Sequence, residues 1–178
     1  WTYVSLERQS QLYVYRSAGD AIETTAAFVR ETLSDPKGKK PRQLAGTVHV
    51  HPDGGHVYVA NRADHTVDDN GTKVYAGGEN SIAVFAVDPA TGEPTLVQHA
   101  DTHSFHVRTF AFEPGGRLMV AASIKPLAVR TSKGVERVPA ALSVFHVGRD
   151  GRLTFVRRYE VPTNGEVHYW MGIVALPD

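Results

Sequence analysis

The sequence contains no cysteine. A disulfide framework and thiolate metal sites are therefore excluded. Neither sign of charge is in excess: 19 Lys and Arg face 19 Asp and Glu, and the net charge is zero with His neutral. A phosphate-backbone binder ordinarily carries a strong basic excess, so nucleic acid is not an expected partner. No apolar run approaches the roughly 18 residues of a membrane span, so no membrane is expected either. The chain opens on Trp1 rather than Met, and no signal peptide is visible. The expectation is a processed or excised chain, soluble, of the cytoplasm or periplasm. No Gly-rich phosphate loop and no G-x-S-x-G elbow occurs, and no cofactor is expected. No segment sustains a helical period over about 11 residues. The best helix candidate, residues 18–30, carries a Thr pair, and its surroundings favour turn plus strand.

What is present is a repeat. At 178 residues, 42% of them hydrophobic, the chain is long enough for about one packed domain. The stretches LAGTVHVHPD, VRTFAFEPG and WMGIVALPD each run extended and apolar into a proline. Those prolines, Pro52, Pro114 and Pro177, stand 62 and 63 residues apart. Beyond them residues 54–61 match residues 115–122, residues 81–87 match 141–147, and residues 92–97 match 151–156. Each unit reads as four short strands, a to d, rich in Val, Tyr, Phe and Ile. Asp53-Gly54, residues 89–92 and Asp150-Gly151 supply turn chemistry between them. The N-terminus enters the scheme late, with residues 2–5 as strand b, 12–15 as c and 26–33 as d.

Four-strand units of this kind are the blades of a β-propeller. The predicted fold is all-β, with about three four-stranded blades of a seven-bladed ring. They cover residues 2–33 (strands b to d), 44–100 and 106–161, with a final strand a at 170–176. The units exceed the usual blade length because of inserts between b and c, at residues 62–80 and 124–139. Both inserts are polar and rich in Gly and Pro, and read as surface loops. Three blades cannot close a ring, and their bare edge and faces need cover. A second polypeptide completing the propeller is therefore the expected partner.

The segments His51-Pro52-Asp53-Gly54, Val57-Tyr58-Val59-Ala60-Asn61-Arg62, Asn80-Ser81-Ile82-Ala83-Val84-Phe85 and Val87-Asp88-Pro89-Ala90-Thr91-Gly92 resemble one family. It is the lactonase-type seven-bladed propeller family, which includes propeller 6-phosphogluconolactonases and fungal carboxy-muconate cyclases. The resemblance covers most of residues 45–178 and more weakly 2–33, and implies a C-terminal portion of such a ring. It is specific for blade type; activity must be argued from a site. The family places an Arg, often with His beside it, at a strand entry near the central pocket. Arg108 carries that role here, with Val107 where Pro usually stands and Thr109 where His often stands. The corresponding slots before Pro52 and Pro177 hold Gly46 and Met171. Arg62 replaces the acidic residue that often follows the strand-b Asn.

Nine histidines in a neutral chain are the main chemical feature. Arg108 suits clamping of a carboxylate, phosphate or oxyanion, or else an inter-blade salt bridge. His106 and His168 stand 8 and 9 residues before their prolines, and His suits proton transfer near neutrality. Glu166 is placed to orient His168, while Tyr169 and Trp170 can wall a substrate cavity. His99, Asp101 and His103 alternate on one strand face, chemically enough for a divalent ion. The resembled family needs no metal there, and none is expected. His49 and His51 read as packing between blades. Asp64, Asp68, Asp69, Asn70 and Gly71 lack the EF-hand spacing and read as a solvated loop. Lys37-Gly38-Lys39-Lys40-Pro41-Arg42 reads as a solvated connector. The expectation is a hydrolase of lactone-like or related small carbonyl substrates, with Arg108 on the oxygen and His106 or His168 on the proton. Two other readings stay open. One is a non-enzymatic scaffold or protein-binding propeller. The other is a subunit of a processed hydrolase whose nucleophile lies on the other chain.

Overall fold

A computed structural model of the chain describes residues 1–168 and 170–175. Among them there is no helix, and the strands form blades in the order the repeat dictates. The first blade has three strands, β1 (Thr2–Leu6), β2 (Gln11–Tyr15) and β5 (Phe28–Glu31). A small hairpin, β3 (Ser17–Ala18) and β4 (Ala21–Ile22), lies between β2 and β5. The second blade is β6 (Gln43–Val50), β7 (His56–Ala63), β10 (Ser81–Val87) and β11 (Pro94–Asp101). The third is β12 (Val107–Phe112), β13 (Leu118–Ser123), β16 (Ala141–Val147) and β17 (Leu153–Glu160). All neighbours within the blades pair antiparallel. Residues 18–30 thus hold turns and short strands. Residues 170–175, expected as a closing strand a, carry no strand, and residue 176 lies outside the described residues. In the other blades strand a pairs with the b strand that follows it.

The inserts are not loops. Between β7 and β10 lie β8 (Thr66–Asp69) and β9 (Thr72–Tyr75), turning at Asn70-Gly71, both with positive φ. Between β13 and β16 lie β14 (Leu127–Thr131) and β15 (Gly134–Val138). The two hairpins join through a parallel pairing of β9 with β14, giving one four-stranded sheet that spans two blades. Val74 is buried within it, and an Asp69–Arg130 ion pair ties the hairpins together. An Asn-Gly turn between alternating residues is itself a hairpin signal. The polar composition obscured it, because this sheet lies largely in solvent.

The repeat register also moves by one residue. Val57 lies opposite Val50, and Met119 lies opposite Phe112. Gly54 and Gly116 are the pair with matching positive φ, 77° and 72°. The a–b turn needs that left-handed conformation, so Gly54 aligns with Gly116 rather than Gly115. Asn61 accordingly aligns with Ser123.

Two apolar layers hold the blades face to face. Leu12 and Val14 of the first blade pack on Val57, Val59, Ala83 and Phe85 of the second. Tyr58, Ile82 and Val84 of the second pack on Phe110, Met119, Ala121 and Phe145 of the third. The second blade is covered on both faces, so β7 from Val57 to Ala63 is wholly buried. Each large apolar side chain buried this way contributes about 1.5–3 kcal/mol. A polar latch repeats at both joints. The Tyr3 hydroxyl donates to the Gly92 carbonyl at 3.0 Å, and the Tyr58 hydroxyl to the Gly151 carbonyl at 2.7 Å. The Trp1 and His56 rings lie so close to Gly92 and Gly151 that a Cβ there would come within 2.2 Å of each ring. Tyr58→Phe is expected to cost about 1–2 kcal/mol, because a buried carbonyl loses its donor. Urea unfolding measures this, and a midpoint equal to wild type would contradict it.

Candidate active site

The blades meet at β6, which touches both β1 and β12. There a cavity of about 200 Å³ is lined by Glu7, Ala45, Gly46, Thr47, Arg62, Arg108 and Trp170. Local structure explains who reaches it. Val107 pairs with Ser123 and Thr109 with Ala122, so Arg108 is the extra residue of a β-bulge. Bulges re-aim a side chain relative to its strand. The second blade breaks its a–b pairing at the same place, between Ala45 and Val48. There Gly46 leaves room, since a Cβ would sit 3.2 Å from the Ala60 Cβ and 3.6 Å from the Arg62 Cδ. Glu7 and Arg62 occupy aligned positions at the ends of their b strands, four residues past Tyr3 and Tyr58.

Behind the cavity wall lies a chain of buried charges. Arg62 forms an ion pair with Glu7, and its Nη1 donates to His106 Nε2 at 2.8 Å. Burial lowers the Arg62 guanidinium from its ordinary pKa, and the Arg108 and Arg42 cations push the same way. His106 is only 3% exposed and stands at a left-handed φ of 55°. Its backbone N–H donates to Asn80 Oδ1 at 2.7 Å. Burial drops its imidazole to about 4; Arg62, Lys125 and Arg108 add to the drop and Asp64 opposes it. His106 is therefore neutral at pH 7. Arginine only donates, so Nε2 is the acceptor and the ring proton is on Nδ1. That nitrogen lies 3.6 Å from Asp64 Oδ2, an electrostatic contact longer than a hydrogen bond. Asp64 takes a bidentate pair from Arg42, at 2.6 and 3.0 Å, and a bond from Lys125 at 2.7 Å. Burial alone would raise its carboxyl, but Arg42, Lys125 and His106 hold it well below the usual carboxylate range.

Of the residues expected from the sequence, Arg108 and Trp170 share the cavity, and Trp170 is 66% exposed at its rim. His106 stands one layer back, against Arg62. His168 is half-buried, its backbone N–H donating to the Ile124 carbonyl at 2.8 Å, and Glu166 is exposed in a turn. Neither lines this cavity. Tyr169 lies outside the described residues. His99 Nε2 meets the Thr32 carbonyl at 3.0 Å, and His103 stacks on Phe155 with centroids 3.8 Å apart. Among the described residues, no three His, Asp or Glu side chains group as a metal site. His49 stacks on Phe110, and His51 meets the Gly116 carbonyl across the blade joint. The solvated-loop reading fails at Asp64, which is 5% exposed. Sequence reasoning also gave no role to Glu7 or Lys125. The usable signal for Glu7 was its alignment with Arg62.

Repeated four-stranded blades converging on a cationic cavity define a β-propeller. A family model described as "Lactonase, 7-bladed beta-propeller" matches residues 1–131, and the chain belongs to that family. It is similar to the 6-phosphogluconolactonase of Formosa agariphila, 27% identical over 85 residues, covering 48% of this chain and 20% of the relative. The 6-phosphogluconolactonase of Bacillus subtilis is 36% identical over 76 residues, 43% of this chain and 18% of the relative. The periplasmic gluconolactonase of Pseudomonas aeruginosa is 25% identical with a TM-score of 0.65, covering 93% of this chain and 37% of that structure. A Lactobacillus plantarum protein superimposes with a TM-score of 0.66 at 21% identity, covering 39% of its chain. The matches span about a fifth of the curated relatives and under two fifths of the solved structures.

Proposed function

We propose that this chain forms part of a lactonase-type hydrolase that opens small cyclic esters. The observation that carries the reading is the cavity lined by Arg62, Arg108 and the Glu7 carboxylate, in a chain of the lactonase family. Water adds to the lactone carbonyl, and negative charge develops on its oxygen. Guanidinium N–H groups from Arg108 and Arg62 stabilise that oxyanion. Glu7 is the carboxylate on the cavity wall and accepts the proton of the attacking water. The ring C–O bond then breaks, and the same proton passes to the departing ring oxygen, leaving a hydroxy acid. His106 is a poor base here, because its only lone pair already accepts from Arg62. Aldonolactones are the substrate class, by analogy with the relatives' names. The test is acid release from glucono-δ-lactone in a pH-stat with the native assembly. Acceleration well above the buffer blank is expected, and none would overturn the reading.

We also propose a partner, a second polypeptide whose blades cover the outer face of the third. The far face of the third blade supports this. Val120, Leu142 and Val144 align with Tyr58, Ile82 and Val84, which the third blade covers. Leu118 and Val156 on that face are 40% and 52% exposed. Native mass spectrometry of the purified assembly is expected to find a second polypeptide in fixed stoichiometry. A single species at 19.4 kDa would refute it.

A further inference from the structure

Asp64 has no place in the chemistry above, yet it is the most heavily engaged carboxylate behind the cavity. A buried carboxylate is costly to desolvate, and an apolar residue in its place is often no less stable. Its setting points to a task beyond stability. Arg42, before β6, and Lys125, after β13, hold the carboxylate from two different blades. Its Oδ2 is thereby fixed on the Nδ1 side of His106. The opposite nitrogen of that ring receives Arg62 Nη1, and Arg62 reaches the cavity beside Arg108. The imidazole can move little, since its backbone N–H is held by Asn80 Oδ1 and its ring is buried.

In this arrangement the ring proton decides where Arg62 points. With the proton on Nδ1, beside a negative carboxylate, the Nε2 lone pair holds the guanidinium in place. With the proton on Nε2, two donors would oppose each other and Arg62 would have to leave. We propose that Asp64 is a positioning residue that acts through the His106 tautomer to aim Arg62 at the anionic oxygen of the ligand. The inference rests on the cavity being the substrate site proposed above. An orienting carboxylate behind a histidine is a familiar way to fix a tautomer, and at metal-bound histidines loss of such a partner typically costs about 10–100-fold in metal affinity or activity.

The experiment is ¹⁵N NMR of the histidine rings together with titration by gluconate, a hydroxy-acid product analogue, on the native assembly. In wild type the His106 signals should report Nδ1–H with an acceptor Nε2. A wild-type Nε2–H tautomer would overturn the proposal without any variant. Asp64→Asn should shift the ring towards Nε2–H and weaken gluconate about tenfold or more. The same substitution on an Arg62→Ala background should produce no further loss, since the effect passes through Arg62. It should also be harmless on a His106→Gln background, where the amide oxygen accepts from Arg62 without a tautomer to choose. A full additional loss on either background would overturn the proposal and make Asp64 merely structural. Neither readout uses turnover, so both decide the matter even where the lactone assay fails.

Discussion

Arg108→Ala is expected to lower kcat/KM for lactone opening by about 10²–10³-fold, the scale seen when one oxyanion donor is removed. The loss should fall equally on kcat and kcat/KM, because the oxyanion exists only along the reaction path. The reasoning begins at the bulge. One extra residue in β12 turns a side chain that would otherwise follow the strand alternation into the cavity wall. Truncation there removes a donor from the cavity wall while leaving the flanking Val107 and Thr109, both buried, in their packing. Arg108→Lys should recover only part of the rate. An ammonium restores charge but not the planar fork of donors. Initial rates with unchanged circular dichroism check the prediction, and wild-type turnover in Arg108→Ala would remove this residue from the mechanism.

A second large effect is expected in acid. His106 is neutral in the folded protein down to about pH 4, whereas an unfolded histidine takes up its proton near 6.5. Below pH 6.5 the unfolded chain therefore binds one more proton than the native one, and stability falls until the folded imidazole also titrates. The window from 6.5 to about 4 is worth about 3 kcal/mol. The groups facing the ring set that window: burial with Arg62, Lys125 and Arg108 against protonation, Asp64 for it. His49, lowered by burial, acts in the same direction, so the measure is the difference between wild type and His106→Gln. Asp64 extends the loss further down. Its depressed carboxyl contributes stability above the ordinary carboxylate range, and that stability disappears as pH falls through the folded value. Urea midpoints at pH 7, 5.5 and 4 test this. Equal acid slopes in wild type and His106→Gln would contradict it.

Much of this architecture is legible in the sequence. Strands recur with proline-terminated runs and Asp-Gly turns, and period and turn chemistry are both local signals. The family resemblance places Arg108 at a strand entry near the central pocket, and Arg108 lines the cavity, whereas His106 stands one layer back against Arg62. The missing parts share one cause: they depend on contacts between distant residues. Gly54-Gly55 and Gly115-Gly116 are the same dipeptide, and only φ shows which glycine takes the left-handed turn. The β9–β14 pairing joins Val74 to Ala128 with no mark in either segment. Asp64 looked solvated because composition labels a charge by its type. Its burial comes from Arg42 and Lys125, which reach it from elsewhere in the chain.

The sheet built from the two inserts bears on how the protein comes apart. A repeat array is stabilised by each unit and by each nearest-neighbour joint, and those joints need not be equal. The first joint rests on one apolar layer, the Tyr3 latch, a backbone bond from the Ala45 N–H to the Glu7 carbonyl and a set of side-chain bonds, among them Asn61 to the Thr32 carbonyl and Ser34 to Glu79. The second has the same kinds of contact and is also bolted by backbone pairing outside the blades. The second and third blades are therefore joined by a shared sheet as well as by a packed face. A change in the length of one hairpin would displace the edge on which the other pairs, so each insert sets a length requirement on the other.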